Sequence, residues 1–219
     1  GRTVCRCPLP PRLLMIEATI PVGNADELVM LLGASGAGKS VILKLALGLL
    51  RPDSGRIFVN GQRIDTMREV DLLRVREDIG MLFQETALFP HLSVWRNVAF
   101  GLRYRPDAPR RGAERAEALR WLDLMQVDRP DARVDELSGG QRQRVALART
   151  LAAKPRVVLL DEPFSSLDRE LRDELGARVK SLLAEQGVAA LWVTHDRAEA
   201  ARLGDQVWQM ADGRCEPVP

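Results

Sequence analysis

Short, almost uninterrupted apolar stretches alternate along this chain with longer segments of helical periodicity. Four of these stretches end abruptly in polar or glycine-rich sequence, at residues 28–32, 79–83, 157–160 and 190–194. Continuous apolar strands are typical of a parallel sheet that is buried on both faces. Because helical patterns lie between them, the sequence predicts an α/β fold with a mainly parallel sheet.

The residues that follow these four strands carry the candidate chemistry. They are a glycine-rich loop from Gly33, then Gln84, the pair Asp161 and Glu162, and His195. In parallel α/β sheets, ligands bind outside the carboxyl ends of the strands. We therefore expect all four strand ends to contribute to one site.

The stretch over residues 85–138 has a different pattern. Ala118, Leu122 and Met125 fall on one face of a predicted helix, and prolines interrupt the surrounding sequence. We interpret residues 85–138 as a helical subdomain inserted within a single domain, 1–219. We expect no further C-terminal regulatory domain.

Composition, net charge and cysteine count argue against several classes of protein. Hydrophobic residues make up 46% and charged residues 28% of the chain, and the net charge is +2, so nothing indicates a nucleic-acid partner. No apolar run is long enough to cross a bilayer, so any membrane role would need another chain for the span. Three cysteines without a paired framework predict neither disulfides nor zinc, and favour a reducing, cytoplasmic compartment.

The glycine-rich loop matches the Walker A phosphate loop at every defined position. Its residues are Gly33, Ala34, Ser35, Gly36, Ala37, Gly38, Lys39 and Ser40. Glycines let the backbone curl so that its N–H groups point at a β-phosphate, and a following helix, roughly residues 39–50, adds the positive end of its dipole. Lys39 is expected to reach the β- and γ-phosphates and Ser40 to ligate Mg²⁺, whereas a chance glycine-rich turn is the weaker alternative.

The acidic pair Asp161 and Glu162 follows the third apolar strand. This arrangement is that of a Walker B strand, in which Asp161 would hold Mg²⁺ and Glu162 would polarise the attacking water. An isolated acidic pair more often begins a surface loop, but its place after a buried strand favours the catalytic reading.

The segment from Leu137 to Gln141 is the most specific signal in the sequence. Ser138 is suited to cap a helix, and Gly139 and Gly140 leave backbone N–H groups uncovered for an anion. An ordinary capped helix is the alternative, and it would prevail for a bare Ser-Gly-Gly sequence. The polar run after Gln141 and the acidic pair downstream favour a nucleotide-contacting loop.

Taken together, these motifs resemble those of the ABC transporter ATPases, from about Leu13 onward. The resemblance implies a P-loop NTPase, RecA-like core with an N-terminal antiparallel β region. It also implies a head-to-tail dimer, in which the signature loop of one subunit covers the ATP held by the other. Gln84 matches the Q-loop, which senses Mg²⁺ and the permease, Ser166 to Asp168 match the D-loop, and His195 matches the histidine that contacts the γ-phosphate. Val41 is counted among the nucleotide-contacting positions.

The resemblance further implies partner permease subunits and a place on the cytoplasmic face of the cell membrane. Leu88, Phe89, Leu92 and Val94 would then lie where a permease helix docks, although so apolar a segment could equally be core. A periplasmic substrate-binding protein could belong to the complex.

Within this family, we favour a bacterial importer of a small solute or ion, with two alternatives. Residues 89–94 and 161–168 look like bacterial importer ATPases for molybdate, polyamines, ferric iron or thiamine, whereas residues 38–45 look like phospholipid-trafficking ATPases. A soluble ABC ATPase that serves no transporter is a further alternative.

One family feature is missing from the sequence. The aromatic residue that usually stacks on adenine upstream of the phosphate loop has no counterpart between Cys5 and Arg12, because Phe58 is the first aromatic residue. Three explanations are open: residues 1–12 are not native sequence, the Arg12 guanidinium stacks on the base, or the base is held loosely. We expect weak ATP binding and poor discrimination between ATP and GTP.

Overall fold

The structure, a computed structural model, describes residues 3–8, 15–20, 27–59, 61–103, 105, 107–110 and 112–218 of the 219-residue chain. The strands are β1 (Thr3–Pro8), β2 (Met15–Ile20), β3 (Leu28–Gly33), β4 (Phe58–Val59), β5 (Gln62–Arg63), β6 (Ile79–Leu82), β7 (Val157–Asp161), β8 (Ala189–Thr194), β9 (Gln206–Ala211) and β10 (Arg214–Pro217). The helices are α1 (Lys39–Ala46), α2 (Glu69–Glu77), α3 (Val94–Leu102), α4 (Glu114–Leu124), α5 (Gly139–Ala152), α6 (Arg169–Gln186) and α7 (Arg197–Leu203), with a 3₁₀ turn at Val134–Glu136. None of the described helices is long and apolar enough to span a membrane.

The main sheet has eight strands in the order β1-β2-β10-β9-β3-β8-β7-β6. The five strands from β9 to β6 run parallel to one another, whereas β1 pairs antiparallel with β2 and β9 pairs antiparallel with β10. The α/β class, the mainly parallel sheet and the antiparallel β region near the N-terminus are therefore confirmed.

The four predicted apolar strands are β3, β6, β7 and β8, and they lie side by side. Every residue of β3, β7 and β8 is buried, and successive residues belong to different cores. Met30 and Trp192 pack in one cluster, and their neighbours Leu31 and Val193 pack in the cluster on the opposite face of the sheet. Burial on both faces is the reason that these strands carry no polar alternation.

The helix after the phosphate loop is shorter than its apolar pattern predicts. Helix α1 ends at Ala46 rather than near Leu50, because Gly48 adopts a left-handed φ of 63° and turns the chain. Leu49 and Leu50 lie beyond this turn and are 50% and 40% exposed. The apolar run therefore continues past the end of the helix.

The helical segment between β6 and β7 consists of α3, α4 and the 3₁₀ turn, followed by α5. The predicted face of α4 is buried, with Ala118, Leu122 and Met125 each at most 1% exposed, and Trp121 joins it. These residues share one hydrophobic cluster with α5 and with one face of the sheet. That residues 85–138 form a subdomain of their own stays a prediction.

The contact between α3 and α5 is close enough to require glycine. A Cβ at Gly101 would lie 2.4 Å from the carbonyl oxygen of Arg149, a backbone atom that cannot move away alone. We predict that Gly101→Ala lowers the free energy of unfolding by roughly 1–3 kcal/mol, because the helices must separate. Urea unfolding measures it. Ala116→Ser, at an exposed position of α4, should change stability by no more than about 0.5 kcal/mol, and equal effects of the two would contradict the packing argument.

Candidate nucleotide-binding site

The phosphate loop joins the end of β3 to the start of α1. Gly36 and Gly38 have φ values of 79° and 98°, in the left-handed region that favours glycine. The N–H of Ala37 donates to the carbonyl of Ala34 at 3.2 Å and tightens the turn. Ala34, Ser35 and Gly36 are exposed at the tip. The predicted loop geometry is thus present, with the backbone curled above the first turn of a helix.

Lys39 lies at the base of this loop. Its side chain is buried, and Nζ donates to the carbonyl oxygens of Gly33 and Ala34, both at 2.8 Å. The ammonium group is therefore placed inside the curve of the loop, next to the helix N-terminus. Both features favour an anion at this point.

Asp161 ends β7 and accepts a hydrogen bond from the hydroxyl of Ser40. Burial raises the pKa of Asp161 above its ordinary value, the hydrogen bond from Ser40 acts in the opposite direction, and repulsion from Glu162 raises it again. A nearby cation would relieve both the burial cost and the repulsion.

The Asp161 carboxylate and the Ser40 hydroxyl are oxygen ligands of the kind that Mg²⁺ prefers. Among the described residues no group of three or more His, Cys, Asp or Glu side chains could hold a metal ion. Magnesium suits such a sparse set, because it is usually held by one or two protein oxygens together with water and phosphate oxygens. The third predicted ligand, Gln84, is exposed just after β6, next to β7 in the sheet.

Glu162 and His195 meet at the ends of β7 and β8. The Oε2 atom of Glu162 lies 3.3 Å from Nδ1 of His195, whose side chain is 56% exposed. Glu162 has a φ of 48°, which is uncommon for a residue other than glycine, and its N–H donates to the carbonyl of Val193 at 3.1 Å. The strand ends therefore bring together the two predicted catalytic side chains.

The signature segment begins α5 in the way that its sequence predicts. The N–H of Gln141 donates to Ser138 Oγ at 3.2 Å, and Gln141 Oε1 accepts from the N–H of Ser138 at 2.9 Å, which makes a reciprocal capping box. A Cβ on Gly139 would meet no other atom within 4 Å, whereas a Cβ on Gly140 would lie 2.5 Å from a methyl carbon of Leu167. The helix cap is confirmed, and nucleotide contact by Ser138, Gly139, Gly140 and Gln141 stays a prediction.

Asp168 has a structural use within the chain. Its carboxylate caps α6 by accepting the N–H of Leu171 at 3.0 Å. A nucleotide contact by Asp168 would come in addition to this cap and stays a prediction. Arg12, the proposed substitute for the adenine-stacking aromatic residue, lies outside the described residues.

Two further residues of α5 were not predicted from the sequence. Gln143 is buried and touches the loop after β7. Arg149 donates to the carbonyls of Ala87 and Thr86 at 2.9 and 3.2 Å, and so holds the chain just after Gln84. Burial lowers the pKa of Arg149. The only signal for them is a polar side chain at a position where the helical pattern predicts the core.

A family model described as ABC transporter matches residues 22–165. The chain belongs to the ABC transporter family. It is similar to solved ABC cassettes: a dimeric structure of the bacterial ABC transporter cassette MJ0796 has a TM-score of 0.87 at 27% identity, and covers 100% of this chain and 98% of its own. The same cassette in a post-hydrolysis dimer bound to ADP and Pi has a TM-score of 0.86 at 27% identity, covering 99% of this chain and 97% of that one.

Two curated relatives are importer subunits. The sulfate/thiosulfate import ATP-binding protein CysA of Synechocystis sp. is 45% identical over 204 residues, which are 93% of this chain and 55% of the relative. The spermidine/putrescine import ATP-binding protein PotA of Acidothermus cellulolyticus is 45% identical over 208 residues, 94% of this chain and 52% of the relative. This ABC ATPase domain spans about half the length of the curated relatives it matches.

The raised pKa of Asp161 predicts how stability depends on pH in this ABC ATPase domain. The folded chain holds the Asp161 proton more tightly than the unfolded chain, so the free energy of unfolding falls as pH rises from the ordinary value of 3.8 through the folded pKa. Asn keeps an acceptor for Ser40 and cannot ionise. We therefore expect Asp161→Asn to raise the unfolding midpoint at neutral pH, with a gain that shrinks on acidification.

The measurement is thermal unfolding without added nucleotide or magnesium, from about pH 4 to about pH 8. Asp107→Asn is the control with the opposite sign, since hydrogen bonds from Arg105 and Lys154 hold the pKa of Asp107 below its ordinary value. Asp107→Asn should slightly lower the free energy of unfolding at neutral pH. A lower midpoint for Asp161→Asn at neutral pH would contradict the account of Asp161.

Proposed function

We propose that this chain binds ATP with Mg²⁺ and hydrolyses it to drive import of a small solute through a partner membrane permease. The observation that carries the proposal is the meeting of three strand ends at one edge of the sheet. The ammonium group of Lys39 is held in the loop after β3. Asp161, which accepts from Ser40, ends β7, and the Glu162–His195 pair follows β7 and β8. This combination is suited to transfer of a γ-phosphoryl group to water.

Each side chain has a definite part in that proposal. The loop from Gly33 to Val41 would surround the phosphates with N–H groups, and Lys39 would exchange its carbonyl partners for phosphate oxygens. Ser40, Asp161 and Gln84 would hold Mg²⁺, which when bound neutralises charge on the β- and γ-phosphate oxygens. Glu162 would accept a hydrogen bond from the attacking water, and His195 would donate to the γ-phosphate.

The proposal includes a second copy of the chain in a head-to-tail dimer. Ser138 and Gly139 are exposed at the N-terminus of α5, a helix of 14 residues, and the tip of the phosphate loop is exposed as well. Each surface can therefore receive the other across an interface, with Ser138, Gly139, Gly140, Gln141 and Asp168 completing the partner's site. The dimeric form of the similar cassette MJ0796 supports this arrangement.

The cargo class rests on the curated relatives. CysA and PotA are equally similar to this chain at 45% identity, although their names specify sulfate or thiosulfate in one case and polyamines in the other. We propose a small solute or ion as the cargo and permease subunits as its route. Molybdate, ferric iron and thiamine, like a periplasmic substrate-binding protein in the complex, stay predictions. The proposed place of the chain is the cytoplasmic face of the cell membrane.

Hydrolysis is tested at Glu162. Glu162→Gln keeps the shape of the side chain but removes the carboxylate, so kcat should fall by about 10²–10⁴-fold while ATP still binds. Steady-state phosphate release and equilibrium ATP titration, with the permease present, give the two quantities. Normal turnover by Glu162→Gln would remove the proposed role of this carboxylate.

Lys39 provides the complementary test of binding. Lys39→Ala removes a charged hydrogen-bond donor from the phosphate loop and should weaken ATP affinity by roughly ten- to hundredfold. Nucleotide titration at constant magnesium checks it, with thermal unfolding to confirm that the variant folds. Unchanged affinity would argue against phosphate binding at this loop.

The segment after Gln84 divides into core and surface. Val94 is fully buried, so the core reading holds for Val94. The ring of Phe89 packs on Phe100 at 4.6 Å, but both residues are partly exposed. Pro90 and His91 are exposed beside them. This exposed tip is the part available to a permease helix.

We predict that His91→Glu lowers ATP-driven transport at least about tenfold while ATP hydrolysis by the chain alone persists, because a carboxylate placed in the exposed docking tip weakens the contact with the permease. Transport into vesicles and phosphate release measure the two activities. The same charge at Ala116, exposed on α4, serves as the control. Equal loss of transport and basal hydrolysis, with altered circular dichroism, would favour a purely structural role.

A further inference from the structure

Gln143 is a buried polar side chain in the first turns of α5. It is 4% exposed, and both ends of its amide are engaged. The Nε2 group donates to the carbonyl oxygen of Glu162 at 2.8 Å, and Oε1 accepts from the hydroxyl of Ser166 at 2.5 Å. One amide therefore bridges two points of the loop between β7 and α6.

The peptide groups on either side of Glu162 are held by three hydrogen bonds. The N–H of Glu162 donates to Val193, and its carbonyl accepts both from Gln143 and from the N–H of Ser165 at 3.2 Å. A residue other than glycine with a φ of 48° persists only when its surroundings hold it there. Gln143 is the one side chain among these contacts, because the others are made by the backbone.

The other end of the amide contacts the segment that precedes Asp168, through Ser166. In the same turn of α5 as Gln143, Gly140 lies against Leu167, and a Cβ on Gly140 would be 2.5 Å from a methyl carbon of that side chain. Helix α5 therefore contacts this segment twice, through a hydrogen bond and through packing. Any displacement of the segment relative to α5 would have to change the contacts of Gln143.

We propose that Gln143 is a positioning residue for ATP hydrolysis, holding the main chain of Glu162 so that the carboxylate faces the attacking water. Through Ser166, the same amide fixes the segment before Asp168 to the helix that carries the signature loop. This inference rests on the proposed ATPase function and on the role of Glu162 within it.

Two substitutions separate the hydrogen bond that Gln143 donates to Glu162 from the one that it accepts from Ser166. Met has a length close to that of Gln but makes neither hydrogen bond. Glu keeps an acceptor for Ser166, whereas its carboxylate cannot donate to the Glu162 carbonyl. If the contact with Glu162 matters, both substitutions remove it.

The experiment measures kcat and KM for ATP with the full chain co-purified with its permease. We expect Gln143→Met and Gln143→Glu each to lower kcat by about ten- to hundredfold, with KM changed by no more than about twofold, because a slightly misplaced group affects the reaction more than binding. Thr150→Val is the matched control, since Thr150 is also buried on α5 and donates to Ala146 and Met81, away from the site. Its kcat should remain within about twofold of that of the unmodified chain.

A second comparison uses Glu162→Gln. If Gln143 acts through Glu162, adding Gln143→Met to Glu162→Gln should change the residual rate by no more than about twofold, since two groups that act as one unit are not additive. Thermal unfolding of every variant identifies loss of fold. Where Gln143→Met fails to fold, Gln143→Glu, which has nearly the shape of the amide, decides the matter.

Three outcomes would overturn the inference. Wild-type kcat for both Gln143 variants, while Glu162→Gln is inactive, would refute the role of Gln143 and leave the proposed function intact. A parallel loss of kcat, ATP affinity and thermal stability would assign Gln143 to the fold alone. Normal hydrolysis by Glu162→Gln would refute the proposed role of Glu162, and the inference with it.

Discussion

Burial of the central strands on both faces is the constraint on which the rest of this structure depends. Alternate residues of β3, β7 and β8 pack into different cores, and these strands lie side by side and parallel, as is typical of a sheet covered on both faces. Parallel alignment then places all of their carboxyl ends at the same edge of the sheet. Polar side chains that are far apart in sequence, from Lys39 to His195, become neighbours as a consequence of core packing.

Helix α5 connects this edge to the helical segment. Its apolar face, including Val145, Ala148 and Leu151, is fully or almost fully buried. Its polar residues Gln143 and Arg149 reach the loop after β7 and the chain after Gln84, respectively. The helix is therefore held by hydrophobic packing along its length and by hydrogen bonds to two of the strand ends. This arrangement supports a mechanical connection between nucleotide chemistry and the surface proposed for the permease.

Local sequence patterns predicted much of the fold and of the site. The apolar strands, the loop around Gly36 and the cap at Ser138 each depend on residues close together in the chain, where strand burial, glycine conformation and capping leave a readable signal. The bridge from Gln143 to Glu162 and Ser166 could not be predicted in this way. It depends on how α5 crosses the sheet, and a single glutamine carries no sign of its distant partners. Similarly, the turn at Gly48 ended α1 where the apolar pattern alone predicted further helix.

The position of Lys39 has a consequence for how this protein is made. Its ammonium group is hydrogen-bonded to two carbonyl oxygens of its own loop. Strand β3, which leads into that loop, pairs with β8 and β9, and both of these strands come much later in the sequence. The loop therefore reaches its final surroundings only after most of the chain has left the ribosome.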